Sequence, residues 1–122
     1  LDVAEQIIAE RYPEYSAAFT KVCNRTWAHM FNMFVMRRDL FDQYCEWMFS
    51  ILEEIENRVD ISGYDAYEAR IYGFVSEILL DVWIEANKIN YKEQNVSFME
   101  PQNWIKKGGS FILRKFGLKN KV

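Results

Sequence analysis

Met30-Phe31-Asn32-Met33-Phe34-Val35-Met36, closed by Arg37-Arg38, is the stretch on which the reading of the fold turns. Apolar, rich in aromatic side chains and too short for a globular helix, it is expected to be a buried strand. Asn32 resists that expectation, because its amide brings both donors and an acceptor into a setting where Asn is depleted. Two readings stand. Either Asn32 turns away from Phe31 and Phe34 at a strand end and bonds to a neighbouring loop, or the strand end opens into a ligand cleft.

Upstream, Val3, Ala4, Ile7, Ile8 and Arg11 recur at helical spacing, with Asp2 as a candidate N-cap and Glu5 three residues on as its capping-box partner. Pro13 ends that helix. Tyr15, Ala18, Phe19 and Val22 then mark a second one, and Cys23 to Trp27 connects it to the strand. Downstream, Asp39 can cap a long helix from Leu40 to about Val59, whose stripe includes Leu40, Phe41, Tyr44, Cys45, Met48, Ile51, Leu52, Ile55 and Val59. Trp47 and Phe49 flank the stripe on either side, so this helix is expected to touch more than one neighbour. Glu53, Glu54, Glu56 and Arg58 form its solvated end.

Asp60-Ile61-Ser62-Gly63-Tyr64-Asp65 reads as a loop. A third strong helix follows from about Ala66 to Asn87, with Ile71, Phe74, Val75, Ile78, Leu79, Val82, Trp83 and Ala86 as its stripe. Two long helices joined by a short loop make an antiparallel hairpin. Gly73, inside the third helix, costs about 1 kcal/mol relative to alanine, so a close neighbour or a bend is expected there. Arg70, Glu77 and Asp81 share the face away from the stripe and read as a charge ladder in water. The predicted fold is therefore mainly α with a minor β component, an antiparallel long-helix hairpin packed around one short strand with short flanking helices.

Half of the 122 residues are hydrophobic and 16% are aromatic, enough for burial to offset chain entropy in a single core. One histidine, two distant cysteines (Cys23 and Cys45), and no phosphate loop or metal-ligand spacing argue against most self-contained enzyme classes. The cysteines suggest a reducing compartment and no disulfide framework. Cys45 lies in an apolar stripe, where a thiol acts as a small hydrophobe. No signal peptide and no apolar run of about 18 residues is present. The chain starts at Leu1, inside an amphipathic pattern, and is expected to be a piece of a longer polypeptide.

Lys88 to Phe98 reads as an edge strand or extended connector, and Asn103 can cap a last helix bearing Trp104, Ile105, Phe111, Ile112 and Phe116, interrupted by Gly108-Gly109. The division expected is a helical region over 1–100 and a basic amphipathic tail over 101–122. Every charge after Pro101 is positive (Lys106, Lys107, Arg114, Lys115, Lys119 and Lys121), whereas the whole chain is −3. Two readings of the tail stand equal: an interfacial helix on anionic lipid, or a helix docked on the acidic body of its own domain. That acidic body disfavours nucleic acid as a partner.

The run His29 to Met36 with Asp39-Leu40-Phe41-Asp42-Gln43-Tyr44-Cys45-Glu46-Trp47, and the run Arg70-Ile71-Tyr72-Gly73-Phe74-Val75-Ser76-Glu77-Ile78-Leu79-Leu80-Asp81-Val82-Trp83-Ile84, resemble one family. It is the C-terminal half of a bacterial family of capsular and exopolysaccharide glycosyltransferases, whose N-terminal half carries a His-Tyr-Arg-Arg motif absent from this chain. The resemblance runs from near Leu1 to Gly117 and includes Asn103-Trp104-Ile105-Lys106-Lys107-Gly108-Gly109. It implies the C-terminal fragment of a larger α/β transferase that moves sugar from a nucleotide-sugar donor to a polysaccharide or lipid-linked acceptor. The enzyme would be cytoplasmic, at the inner face of the plasma membrane, with peripheral membrane contact through 103–121 and a homo-oligomer among its expected states. No cofactor is expected in this chain. The donor, with or without a divalent metal, would belong to the longer enzyme, and this fragment alone is expected to be inactive.

On that reading Glu77 is the carboxylate chosen to take the acceptor proton, with Arg70 to hold it or to bind phosphate. His29 and Asn32 would line the acceptor or donor side. His29 is expected to make ordinary polar contacts in preference to ligating a metal. A rival reading rests on the wide apolar sector at Trp47 and Phe49 and on the basic tail: a non-catalytic helical module for acceptor binding, membrane docking or oligomerisation. A third is a free-standing helical interaction protein.

Overall fold

A computed structural model of the chain describes residues 1–30, 32–65, 70–97, 99, 105, 108 and 109. Its helices are α1 (Asp2–Arg11), α2 (Ser16–Cys23), α3 (Arg38–Arg58) and α4 (Ile71–Ala86), with a 3-10 turn at Pro13–Tyr15. The fold is mainly α, as the periodicity predicts. All four helices lie in one unit, Leu1–Asn90; Tyr91–Val122 forms a second. Within the second unit 91–97 is irregular and exposed, while Ile105, Gly108 and Gly109 are helical. The remaining positions of the expected tail helix lie outside the described residues.

The helices begin and end for local reasons. Tyr12 precedes Pro13 and leaves the helical region (φ −138, ψ 55), which closes α1. Leu1 is its N-cap, so Asp2 stands in the first turn and not at the expected cap. Arg37 likewise caps α3 in place of Asp39, whose carboxylate accepts from the Arg37 guanidinium. The loop after α3 turns at Ser62-Gly63, where the Asp60 carboxylate accepts from the Ser62 amide.

Each helix buries one stripe. Ala4, Ile7 and Ile8 face inward from α1, Ala18, Phe19 and Val22 from α2, and Tyr44, Trp47, Met48, Ile51 and Ile55 from α3. Helix α4 is different, because every residue from Leu79 to Trp83 is buried. A helix covered on all sides lies at the centre. It packs against α2, α3 and the 3-10 turn, while α1 packs on α3. Tyr44, early in α3, meets the ring of Trp83 late in α4 at 5.6 Å, and Ile55 and Val75 line one cavity at the opposite ends. Helices α3 and α4 are therefore antiparallel, as predicted.

The expected strand is absent: Met30 and residues 32–36 are irregular, and Met33 and Val35 are exposed. A buried strand must pair its backbone amides and carbonyls. No strand among the described residues offers a ladder, and Asn32 breaks the extended path with φ 45. Helix α3 touches more than one neighbour, α1 and α4, as its wide apolar sector predicts. Trp47 is buried and stacked on Tyr15 at 4.7 Å, but Phe49 is 59% exposed. Two residues apart, they point about 200° from each other, and of the two only Trp47 is buried. At Gly73 no described atom lies within 4 Å of where a Cβ would stand, so of the two readings, a close neighbour or a bend, the first finds no support among the described residues.

Candidate functional site

The connector after α2 runs along the acidic face of α4. Glu77, Asp81 and Glu85 succeed one another there at one-turn spacing, and like charges so placed repel unless cations or donors from elsewhere meet them. Lys21, Arg25 and His29 supply them for Glu85 and Asp81. Lys21 and Arg25 both pair with Glu85, and Lys21 above all, then Arg25, holds that carboxyl below its ordinary range.

Asp81 comes next, and it is 2% exposed. The backbone N–H of His29 donates to Asp81 Oδ2 at 3.0 Å, and His29 Nδ1 lies 2.5 Å from Oδ1. One carboxylate thus engages both the backbone and the ring of the same residue. The reading of Asp81 as part of a ladder in water is overturned, since a carboxylate is tolerated at such depth only when its oxygens accept hydrogen bonds.

Asn32 is fixed in the same way three residues further on. Its Nδ2 donates to Ser76 Oγ at 2.8 Å, and the Ser76 hydroxyl donates to the carbonyl of Gly73 at 2.8 Å. The left-handed backbone at Asn32 is one that Asn adopts more readily than most residues, so the amide serves both the turn and the anchor. Of the two readings of Asn32, the structure places the side chain on a helix.

Aromatic rings complete the arrangement. Trp27 meets the His29 ring edge-on at 5.5 Å, with the Arg25 guanidinium 4.6 Å from the Trp27 ring centre. Phe34 packs on Phe41 and Tyr44 of α3. Trp27 is 51% exposed and Phe34 38%, so this wall presents apolar surface beside the polar anchors.

The residues singled out from sequence fall as follows. His29 and Asn32 come together on α4. Glu77 follows Ser76 directly and stands one turn before Asp81; half-buried, it has no hydrogen-bond or ion-pair partner among the described residues. Arg70 precedes α4 and lies over the Phe74 ring, 5.5 Å from its centre, and no ion pair joins it to Glu77. Asp81, Ser76 and Trp27 were missed. Asp81 carried a legible signal, since it sits between Leu79-Leu80 and Val82-Trp83 with acids one turn away on both sides. Ser76 and Trp27 carried none, because a lone serine and a connector tryptophan have many uses.

Among the described residues, no group of three metal-ligating side chains converges. No helix among them is long and apolar enough to cross a membrane. A cavity of about 370 Å³ lies between the start of α1, the end of α3 and the start of α4.

A family profile described as a domain of unknown function, DUF4422, matches residues 1–88, and the chain belongs to that family. The match spans all four helices and both anchors. No curated protein and no solved structure matches the chain.

Proposed function

We propose that the chain is the C-terminal part of a glycosyltransferase of capsule or exopolysaccharide synthesis, moving sugar from a nucleotide-sugar donor to a polysaccharide or lipid-linked acceptor. One observation carries the reading. The two stretches that resemble such transferases, His29 to Trp47 and Arg70 to Ile84, are the two that bond to each other through His29–Asp81 and Asn32–Ser76.

On this reading the Trp27–Asn32 segment forms one wall of the site. Glu77 supplies the base, because a half-buried carboxylate with no partner of its own retains lone pairs for an incoming hydroxyl proton. As that hydroxyl oxygen bonds to the sugar's anomeric carbon, the carbon–oxygen bond to the nucleotide phosphate breaks and the phosphate keeps the electron pair. Arg70, immediately before α4, is the candidate for meeting that phosphate.

The test uses a longer polypeptide that joins this chain to a His-Tyr-Arg-Arg segment, assayed by nucleotide release from sugar donors. Glu77→Gln should lower kcat by roughly 100-fold or more while leaving the melting temperature unchanged. Unchanged turnover would remove Glu77 from the reaction. No nucleotide release by the parent protein with any donor would sink the transferase reading.

The exposed apolar series Phe34, Phe41 and Phe49 favours a second reading, a non-catalytic helical module for acceptor binding, membrane docking or oligomerisation. Co-sedimentation with anionic vesicles and sedimentation velocity of the 122-residue chain separate its forms. A monomer that ignores vesicles would leave only acceptor binding.

A further inference from the structure

Helix α3 carries a second apolar strip beside the one it buries. Phe41, Cys45, Phe49 and Leu52 follow one another at intervals of three or four residues, so they share one side of the helix. Phe41 is 43% exposed and Phe49 59%, while Cys45 and Leu52 are half-buried. Phe34 packs on Phe41 and widens the strip at the start of α3.

Opposite charges stand at the two ends of this strip. Arg38, at the start of α3, is exposed and makes one long contact, 3.9 Å, to Asp42. Glu53 and Glu56, near the other end, are exposed and have no hydrogen bond or ion pair among the described residues. At about 100° per residue, Arg38 and Glu56 fall within the arc of the strip and Glu53 at its edge. One side of α3 therefore reads cation, apolar strip, anion, and that order is its own complement when reversed.

We propose that the chain forms a homodimer through this side of α3, the two helices running antiparallel about a two-fold axis near Cys45. Each Phe41 then meets Phe49 of the other copy, and each Arg38 lies beside Glu53 and Glu56 of the other copy, an isologous contact with an aromatic centre and charged ends. An anionic lipid surface fits the strip less well, because Asp42, Glu46, Glu53 and Glu56 along it would be repelled. The dimer rests on the exposed apolar series of the helical-module reading and is independent of sugar transfer: sedimentation tests the one and nucleotide release the other.

Sedimentation velocity of the 122-residue chain across micromolar concentrations should show a monomer–dimer equilibrium, and a monomer throughout would overturn the proposal. Among variants that keep the parent's melting temperature, Phe49→Lys should abolish the dimer. Arg38→Glu should raise the dimer Kd by roughly 10-fold or more, since it sets like charges together, and adding Glu53→Arg and Glu56→Arg to it should recover the dimer. A dimer that Phe49→Lys leaves intact, or that the three-charge variant does not recover, would overturn this face or this pairing. The parent protein decides even where a variant fails to fold. Its Cys45 should react more slowly with N-ethylmaleimide as protein concentration rises, while the exposed Cys23 of α2 keeps its rate. Equal behaviour of the two thiols in a sample that sediments as a dimer would place the interface elsewhere and overturn the proposal.

Discussion

Tyr44 carries a hydroxyl that is buried with no hydrogen-bond partner among the described residues, at 1% exposure between Phe34 and Trp83. Burial first, then the neighbouring Cys45 and Asp81, push its phenol up, so it stays neutral. A polar atom left unpaired at such depth opposes folding, and Tyr44→Phe should raise stability by about 1 kcal/mol, read as a melting temperature about 4–8 °C higher. A fall would show that the hydroxyl has a partner in solution. Gly73 offers a second gain. With no described atom within 4 Å of its Cβ position, Gly73→Ala should add about 0.5–1 kcal/mol by helix propensity alone, measured by urea denaturation. The expectation of a close neighbour or a bend there rests on the sequence, which shows that a glycine interrupts a helix but not why. Asp81 teaches the opposite lesson, because its apolar neighbours were in the sequence and its partner, 52 residues away, was not.

Among the elements, α4 organises the molecule. Its stripe and its antiparallel pairing with α3 were legible, since hydrophobic period and a short turn-rich loop specify both. What period could not convey is that α4 is covered on its charged face as well, by a connector with no regular structure. The same gap explains the strand. A short apolar run has the same composition whether a sheet pairs its backbone or side-chain bonds pin it to a helix, and only the spatial neighbours distinguish the two. The core that α3 shares with its neighbours should be costly to open. Ile51, fully buried in α3, should lose about 2–5 kcal/mol on replacement by alanine, visible as a shifted denaturant midpoint with an unchanged slope. A loss below about 1 kcal/mol would mean that the core collapses around the gap.

For the molecule as a whole, charge links the layers that apolar stripes align. Arg58 of α3 joins Glu10 of α1 and Glu54, while Glu85 of α4 joins Lys21 and Arg25. Glu85 and Glu10 are both held below their unperturbed value of 4.5, Glu85 first by Lys21 and Glu10 by Arg58. Carboxyls depressed in this way contribute stability that is fully present above 4.5 and is lost as pH falls through their folded values. Acidification below that point should therefore lower the melting temperature, and Glu85→Gln should flatten the decline; an identical slope in that variant would show that the Glu85 pairs add nothing. These pairs lie near the surface, so added salt should also weaken them. The two anchors on α4 have a consequence for how the chain can vary in length. His29 and Asn32 are pinned to residues of one rigid helix, so the backbone between them has a fixed span to cover. An added residue there must detach one end, whereas the exposed run at Met33 to Val35 can absorb one. Natural or designed insertions should therefore be found after Asn32 and be excluded between His29 and Asn32, a pattern that a library of single-glycine insertions scored for folding would reveal.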